Sequence, residues 1–236
     1  MADRAALVTG GSSGIGLAIA RALGQDGYGI TLSARRPDKL EAAAQELAGE
    51  GVDVQAVPAN MADEDQVKAL MAAHKERFGR LDVLINNAGI GIGSPIADIE
   101  TKKLDLQLDV NLRGLFLVTQ AAIPLLRESR GWIVNLASIA GTVPTPGLAT
   151  YGATKAAVIA LTRSLNAELD GDGVRTVALC PGFVDTPMAQ WSGLEPDEMI
   201  RPEDCAEVVR MCLRLGPHAR IPQVVIERVG STAGDA

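Results

Sequence analysis

A single α/β domain, its doubly wound, seven-stranded parallel sheet covered by helices on both faces, is predicted by three features of this 236-residue chain. Short β-rich runs alternate with longer amphipathic stretches from one end to the other, the pattern of repeated strand–helix–strand units. Several runs are almost wholly apolar, as expected of parallel strands buried on both faces. No linker, low-complexity tract or internal repeat divides the chain, so residues 1–236 read as one domain.

In chain order, AALVTG (5–10) is the first strand and a helical pattern follows at 14–25. GITLSA (29–34) and the pattern at 37–49 repeat the unit. VDVQAVPA (52–59) leads into 63–78, LDVLINN (81–87) into the long pattern 101–127, and GWIVNLAS (131–138) into 150–170. VRTVALCP (174–181), the pattern 202–214 and PQVVIE (222–227) complete the series. Pro124 lies inside 101–127 and is expected to bend it. The stretch 186–201, TPMAQWSGLEPDEMIR, has weak periodicity and two prolines; it reads as an insertion over the sheet edge where a substrate loop could sit.

Composition narrows the function classes. With 47% hydrophobic residues but only 3% aromatics, the core must be built from Ala, Val, Ile and Leu. A net charge of −7 argues against nucleic acid, which calls for a basic face, and disfavours an anionic membrane surface. No signal peptide is visible in MADRAALVTGG, and no apolar stretch reaches the 18 or more residues of a membrane span. Cys180, Cys205 and Cys212 have neither CxxC nor metal-ligand spacing and read as packing residues. A cytoplasmic protein without a metal site is the expectation. His74 and His218 stand in polar surroundings and are expected to be solvated.

Two stretches carry chemistry. VTGGSSGIG (8–16) lies between the first strand and the first helix, with Gly10, Gly14 and Gly16 spaced as GxxxGxG and Ser12, Ser13 and Ile15 among them. Glycines there permit a tight turn and close approach of a pyrophosphate to the helix N-terminus, the dinucleotide-binding device of a Rossmann fold. An acid at the end of the second strand would bind a ribose 2′-hydroxyl, whereas an arginine accepts a 2′-phosphate. In TLSARRPDKL that place holds Ala34, followed by Arg35 and Arg36, which favours NADP(H) over NAD(H). The second stretch is TYGATKAAV (150–158): in a helix Tyr151 and Lys155 lie one turn apart on the same face. A cation there is expected to lower the phenol below its usual pKa of about 10 and make it a proton donor or acceptor. Taken alone, the same residues also fit an ordinary helix with both side chains exposed.

TGGSSGIG (9–16), NNAG (86–89), Asn111 in LDVNLRG, Ser138 in NLASIAG, YGATK (151–155) and PGFVDT (181–186) occur in an order and spacing that resembles the short-chain dehydrogenases/reductases over essentially the whole chain. The resemblance implies a tetrad of Asn111, Ser138, Tyr151 and Lys155. Tyr151 would be general acid in carbonyl reduction and general base in alcohol oxidation. Lys155 would also hold the nicotinamide ribose, Ser138 the substrate oxygen, and Asn111 a water leading to Lys155. Asn87, Ala88 and Gly89 would line the adenosine half of the cofactor, and Pro181, Gly182, Val184 and Thr186 the nicotinamide carboxamide. Two departures stand out. Asn60, beside Met61, replaces the family's usual acid toward adenine, though its amide oxygen can accept the same bond. Ser13 stands where many NADP(H)-preferring relatives carry a base.

These residues imply an NADP(H)-dependent oxidoreductase acting on a carbonyl or secondary alcohol. The alternatives are an NAD(H)-preferring relative or a non-catalytic dinucleotide sensor or scaffold; such modules usually lose the tyrosine or lysine, and here all four tetrad residues are present. The substrate pocket is expected from residues 139–148, Ile90 to Ile92, Met188, Trp191 and Leu194, mainly apolar, which suggests a ketone with a hydrophobic substituent. A 3-oxoacyl thioester, a steroid-like ketone and a small aryl ketone all stay open. The patterns 101–127 and 150–170 carry apolar residues on more sides than one sheet can cover, so a homodimer or homotetramer through them is expected.

Overall fold

The computed structural model describes residues 2–231; residue 1 and the last five residues of the C-terminal tail lie outside the described residues. Seven strands, β1 (Arg4–Thr9), β2 (Tyr28–Ser33), β3 (Val54–Ala56), β4 (Val83–Asn86), β5 (Trp132–Leu136), β6 (Arg175–Pro181) and β7 (Gln223–Ile226), form one parallel sheet in the order β3-β2-β1-β4-β5-β6-β7. The helices are α1 (Gly14–Gln25), α2 (Pro37–Gly49), α3 (Glu64–Phe78), α4 (Thr101–Leu108), α5 (Gly114–Ser129), α6 (Ala149–Glu168) and α7 (Pro202–Leu213). Strand order reverses between β1 and its two neighbours, β2 and β4. This is the switch point beyond whose carboxyl ends ligands bind in open α/β sheets.

Period-two alternation decides which layer each side chain enters. In β1, Ala6 and Val8 pack into the core shared with α1, α2 and α7, while Leu7 points to the core shared with α3 and α5. Both faces are filled mainly by Ala, Val, Ile and Leu, with Trp132 and Tyr28 on one face and Met61 and Met71 on the other among the larger exceptions. The three cysteines are buried, Cys180 in β6 and Cys205 and Cys212 in α7. Among the described residues no helix is long and apolar enough to cross a membrane.

A polar line crosses the apolar interior beneath the carboxyl ends of the strands. Asn86 Nδ2 donates to Thr119 Oγ1 (3.0 Å) on α5 and to Asn135 Oδ1 (2.9 Å) on β5. Asn135 Nδ2 donates to Thr162 Oγ1 (2.9 Å) on α6, whose carbonyl accepts from Thr176 Oγ1 (2.7 Å) on β6. Buried amide donors and hydroxyls are tolerated when paired in this way, and the pairing fixes register between elements that apolar contact alone would let slide; Asn86 Oδ1 alone in the line is buried without a partner.

Three local features depart from the sequence expectations. β3 is shorter than the run 52–59, but Val57 N and Ala59 N still bond to Leu32 O (2.9 Å) and Ala34 O (3.1 Å), which holds Ala59 beside the end of β2. Pro58 lies between them on the edge strand, where its nitrogen faces away from β2 and its missing N–H removes no bond to it. The segment 101–127 runs on through Pro124 to Ser129 as helix, and it carries a π-helical turn at Asp109–Arg113 that the sequence pattern did not mark. His218 is exposed, but His74 is fully buried, contrary to the solvated site expected for it. The polar neighbours of His74 point outward from α3 while its own ring points in. Its Nε2–H donates to Arg80 O (2.9 Å), and its Nδ1 accepts from Thr31 Oγ1 (2.7 Å), which in turn accepts from Gln55 Nε2 (2.8 Å).

Burial lowers the His74 pKa from 6.5 to about 4. The folded state therefore excludes a proton that the unfolded chain binds, so this contribution to stability is complete above about pH 6.5 and is lost as pH falls toward 4. At about 1.4 kcal/mol per pH unit the interval corresponds to roughly 3 kcal/mol. Urea unfolding at pH 7 and pH 4 should show wild type losing roughly 3 kcal/mol more than His74→Gln. Equal acid sensitivity of the two would refute this assignment.

Candidate active site

The glycine turn after β1 is held by the residues that follow β4. Asn87 Nδ2 donates to Thr9 O (3.1 Å) and Gly10 O (2.9 Å), while Thr9 Oγ1 accepts from Asn87 N and Ala88 N (3.1 Å each). The glycines make this closeness possible. Gly10 and Gly14 have positive φ (64° and 54°), and a Cβ at Gly16 would meet Asn87 Nδ2 at 2.4 Å and Gly10 O at 2.5 Å. The chain then enters α1 with Ser13 at the N-cap making no side-chain cap bond, and the first turn carries no acid. Its amides and the positive end of the helix dipole are left to an external anion.

A crevice of about 290 Å³ opens above this turn, lined by Gly10, Ser12, Ser13, Gly14 and Ile15. Ala34, Arg35 and Arg36 from the end of β2, Ala59 and Met61 after β3, and Asn87 to Ile90 after β4 complete it, with Val110 from the π-helical turn. Asn60 does not line it, since its Oδ1 turns back to accept from Ala62 N (3.2 Å). The chemistry suits a dinucleotide: free helix amides for a pyrophosphate, two arginines and no acid where a 2′-phosphate would lie. Gly89 fits too, for a Cβ there would stand 3.4 Å from Asn111 Oδ1 and 3.5 Å from Lys155 Nζ, so the missing side chain leaves the lysine within reach of the crevice.

The crevice continues, through Asn87, Gly89, Thr186 and Met188, into a cavity of about 550 Å³. Ser138, Tyr151 and Lys155 line it, as do Pro181, Gly182, Val184 and Thr186. Ser138 caps a short 3-10 turn, and its Oγ accepts from Ala140 N (3.2 Å), which leaves its proton free to donate into the cavity. Gly141 and Gly152 bring this turn onto α6. A Cβ on Gly141 would come within 2.7 Å of the Lys155 carbonyl carbon, and one on Gly152 within 2.7 Å of Ala140 O. A glycine inside a helix costs about 1 kcal/mol against alanine. Here it is what lets Ser138 and Tyr151 share one wall.

Asn111 does not line either cavity. It sits buried on the π-helical turn, where its side chain pairs with both backbone groups of Ile90 (2.8 Å each) and donates to Thr154 Oγ1 (3.2 Å). Thr154 Oγ1 donates to Tyr151 O (2.7 Å), so one threonine ties Asn111 to the turn of α6 that bears the tyrosine. Lys155 Nζ donates to Leu136 O (2.7 Å) and lies 5.6 Å from the Tyr151 ring centroid. Neither group is solvent-exposed in the way an ordinary surface pair would be.

The phenol is not lowered as the spacing suggested. Burial raises the Tyr151 pKa above 10, with the Ser138 hydroxyl opposing, because loss of water penalises the phenolate more than its surroundings favour it. Burial also pushes Lys155 down from 10.5 to about 8. The spacing of the two residues is visible in sequence, but the desolvation that dominates both is a property of the packed site.

Of the expected pocket residues, Ile139, Ala140, Thr145 to Leu148, Gly91, Met188 and Trp191 line the larger cavity, whereas residues 141–144, Ile90, Ile92 and Leu194 do not; Ile90 lines the crevice instead. Phe183 was not anticipated: it stands edge-on to Trp191, centroids 5.7 Å apart at 72°. Its signal is its place inside PGFVDT, between the residues expected at the nicotinamide carboxamide. Thr9, Ala59, Val110 and Thr154 were also missed, each an ordinary residue in its local pattern. Among the described residues no group of three His, Cys, Asp or Glu side chains could hold a metal ion.

The family model described as short chain dehydrogenase matches residues 4–196. An uncharacterized oxidoreductase of Staphylococcus epidermidis is 37% identical over 228 residues, covering 96% of this chain and 98% of that protein. The alcohol dehydrogenase of the archaeon Thermococcus sibiricus, solved with 5-hydroxy-NADP, superposes with a TM-score of 0.91 at 33% identity, covering 97% of this chain and 98% of that one. An actinorhodin polyketide ketoreductase variant solved with NADPH gives a TM-score of 0.88 at 32% identity, over 96% of this chain and 97% of its own.

The methyl introduced by Gly16→Ala must displace Asn87 or the Gly10 carbonyl, and both shape the turn. Overpacking of this kind costs about 1–3 kcal/mol, so nicotinamide dinucleotide affinity should fall about tenfold or more while circular dichroism shows the fold retained. A fluorescence titration with unchanged affinity would mean that the turn absorbs the methyl.

Proposed function

Because this chain belongs to the short-chain dehydrogenase/reductase family, we propose that it is an NADP(H)-dependent oxidoreductase interconverting a carbonyl and a secondary alcohol. The carrying observation is that Ser138, Tyr151 and Lys155 converge on one cavity that opens directly into the dinucleotide crevice. When bound, the cofactor supplies or accepts the hydride; the side chains manage the oxygen and its proton. Ser138 donates a hydrogen bond to the substrate oxygen and stabilises charge developing on it. Tyr151, kept protonated at neutral pH by its burial, delivers the proton to that oxygen in reduction. The Lys155 ammonium stabilises the phenolate left behind and faces the ribose side of the crevice through the gap at Gly89. Asn111 acts at a distance, holding the Ile90 backbone and, through Thr154, the tyrosine's turn.

Arg35 and Arg36, with no acid at Ala34, support NADP(H) as the preferred cofactor, and two structural relatives were solved with NADP-type ligands. Exposed Leu106, Leu108 and Phe116 on α4 and α5 support a homodimer or homotetramer covering that face. Three buried free thiols suit a reducing compartment such as the cytoplasm.

Tyr151→Phe removes the acid and keeps the ring, so kcat should fall roughly 10²–10⁴-fold with little change in cofactor KM. In wild type, reduction needs the lysine charged, so kcat/KM should decline as pH rises through about 8, where Lys155 loses its proton. An unimpaired phenylalanine variant would take Tyr151 out of the mechanism, and a wild type inert toward every carbonyl would favour a dinucleotide sensor.

Arg35→Ala tests cofactor choice. A hydrogen bond to a charged group contributes about 1.5–3 kcal/mol, so KM for NADPH should rise roughly 10- to 150-fold, at the low end if Arg36 shares the phosphate. NADH kinetics should hardly move. Equal losses with both cofactors, or a wild type that prefers NADH, would reduce the arginine to a solvated surface charge.

A further inference from the structure

Beyond the reacting atoms, the larger cavity is walled by Thr145, Pro146, Leu148, Phe183, Met188 and Trp191. Lys155 is its one charged lining residue among the described residues, and that ammonium is committed to Leu136 O and the tyrosine side. The loop that carries Trp191 adds exposed Glu195, Asp197 and Glu198, while its neighbouring cation, Arg201, is paired with Asp204 (2.6 Å). An anionic substituent would meet no counter-charge in the wall and three carboxylates on the loop, an arrangement that rejects it.

Two features say what the wall accepts. Trp191 is 63% exposed and Met188 is 44% exposed although both line the cavity, so a seated apolar group would cover surface that otherwise faces water. Gly91 leaves a gap beside the reacting centre: a Cβ there would lie 3.7 Å from Met188 Sδ and 3.8 Å from two carbons of the Tyr151 ring. A gap edged by a thioether and an aromatic ring, next to an edge-to-face Phe183–Trp191 pair, favours the flat face of another aromatic group.

Resting on the oxidoreductase reading above, we propose that the substrate class is an uncharged aryl ketone or aryl carbinol, its ring seated against Phe183–Trp191, with Trp191 the residue that selects it. The indole and the gap at Gly91 act together, one providing contact area and the other room.

The test is a matched set of ketones reduced with NADPH: acetone, cyclohexyl methyl ketone, acetophenone and 4-acetylbenzoate. The aryl ketone should exceed acetone in kcat/KM by about 100-fold, and should exceed both the saturated ring and the carboxylate by about tenfold or more. Trp191→Ala should lower the acetophenone-to-acetone ratio about tenfold. Gly91→Ala, whose methyl finds only ordinary contacts, should lower the same ratio without unfolding the chain. The chain has two tryptophans and Trp132 is buried, so 1-phenylethanol should quench the Trp191 fluorescence of the NADPH-loaded wild type, and quench it less in Gly91→Ala, which keeps both tryptophans. Turnover of all four ketones at similar efficiency, or of the carboxylate best, would overturn this inference and leave the oxidoreductase reading intact. Absence of turnover with every ketone and alcohol would overturn both.

Discussion

The site depends on one side-chain amide at the point where strand order reverses. Asn87 reaches from the end of β4 to two consecutive carbonyls, Thr9 and Gly10, at the end of β1. Parallel neighbours in a sheet are joined by their ladder, but nothing in the ladder controls the chain once it leaves the strands. The amide extends control by those two residues, and the absence of a side chain on Gly10 and Gly16 is what gives it room. Next to it, Asn86 carries the same constraint inward to Asn135 and then to Thr162 on α6, the helix that bears Tyr151 and Lys155. The glycine turn and the tyrosine helix are thus positioned from adjacent residues at the carboxyl end of β4.

Charge is distributed against the average of the chain. The protein is acidic overall, with a net charge of −7, yet the crevice is built from an uncapped helix N-terminus, two arginines and a lysine behind a glycine. Long-range repulsion of a phosphate by the acidic surface is screened over about 8–10 Å in physiological salt. Local donors at hydrogen-bond distance outweigh it. At Tyr151 and Lys155 the contest goes the other way: the two are close, but burial dominates both, raising the phenol and lowering the ammonium. A neutral tyrosine beside a lysine that titrates about 8 is suited to giving up a proton and then having the resulting charge stabilised.

Much of this architecture is legible in the chain because it rests on local rules. Alternating apolar runs and amphipathic stretches mark the strands and helices, since a parallel strand has to be apolar on both faces and its crossover helix on one. Glycine spacing after the first strand and the Tyr–Lys interval in YGATK report backbone geometry that neighbours in sequence impose by themselves. The ordinary-looking residues that shape the site have no such mark. Thr154 looks like any helical threonine until Asn111 arrives from 43 positions away, and Phe183 is one aromatic in a loop until Trp191 turns toward it.

What the sequence determined by itself is therefore the fold class, the order of its elements and the place of the glycine turn, because each follows from periodicity or from a conformation only glycine adopts easily. The tertiary structure decided the rest. It buried His74 among Thr31 and Arg80 despite polar neighbours, turned Asn60 away from the crevice, and carried a helix past Pro124. It also set the protonation of Tyr151 and Lys155, since desolvation depends on what other segments pack around a group and not on the residues beside it in the chain.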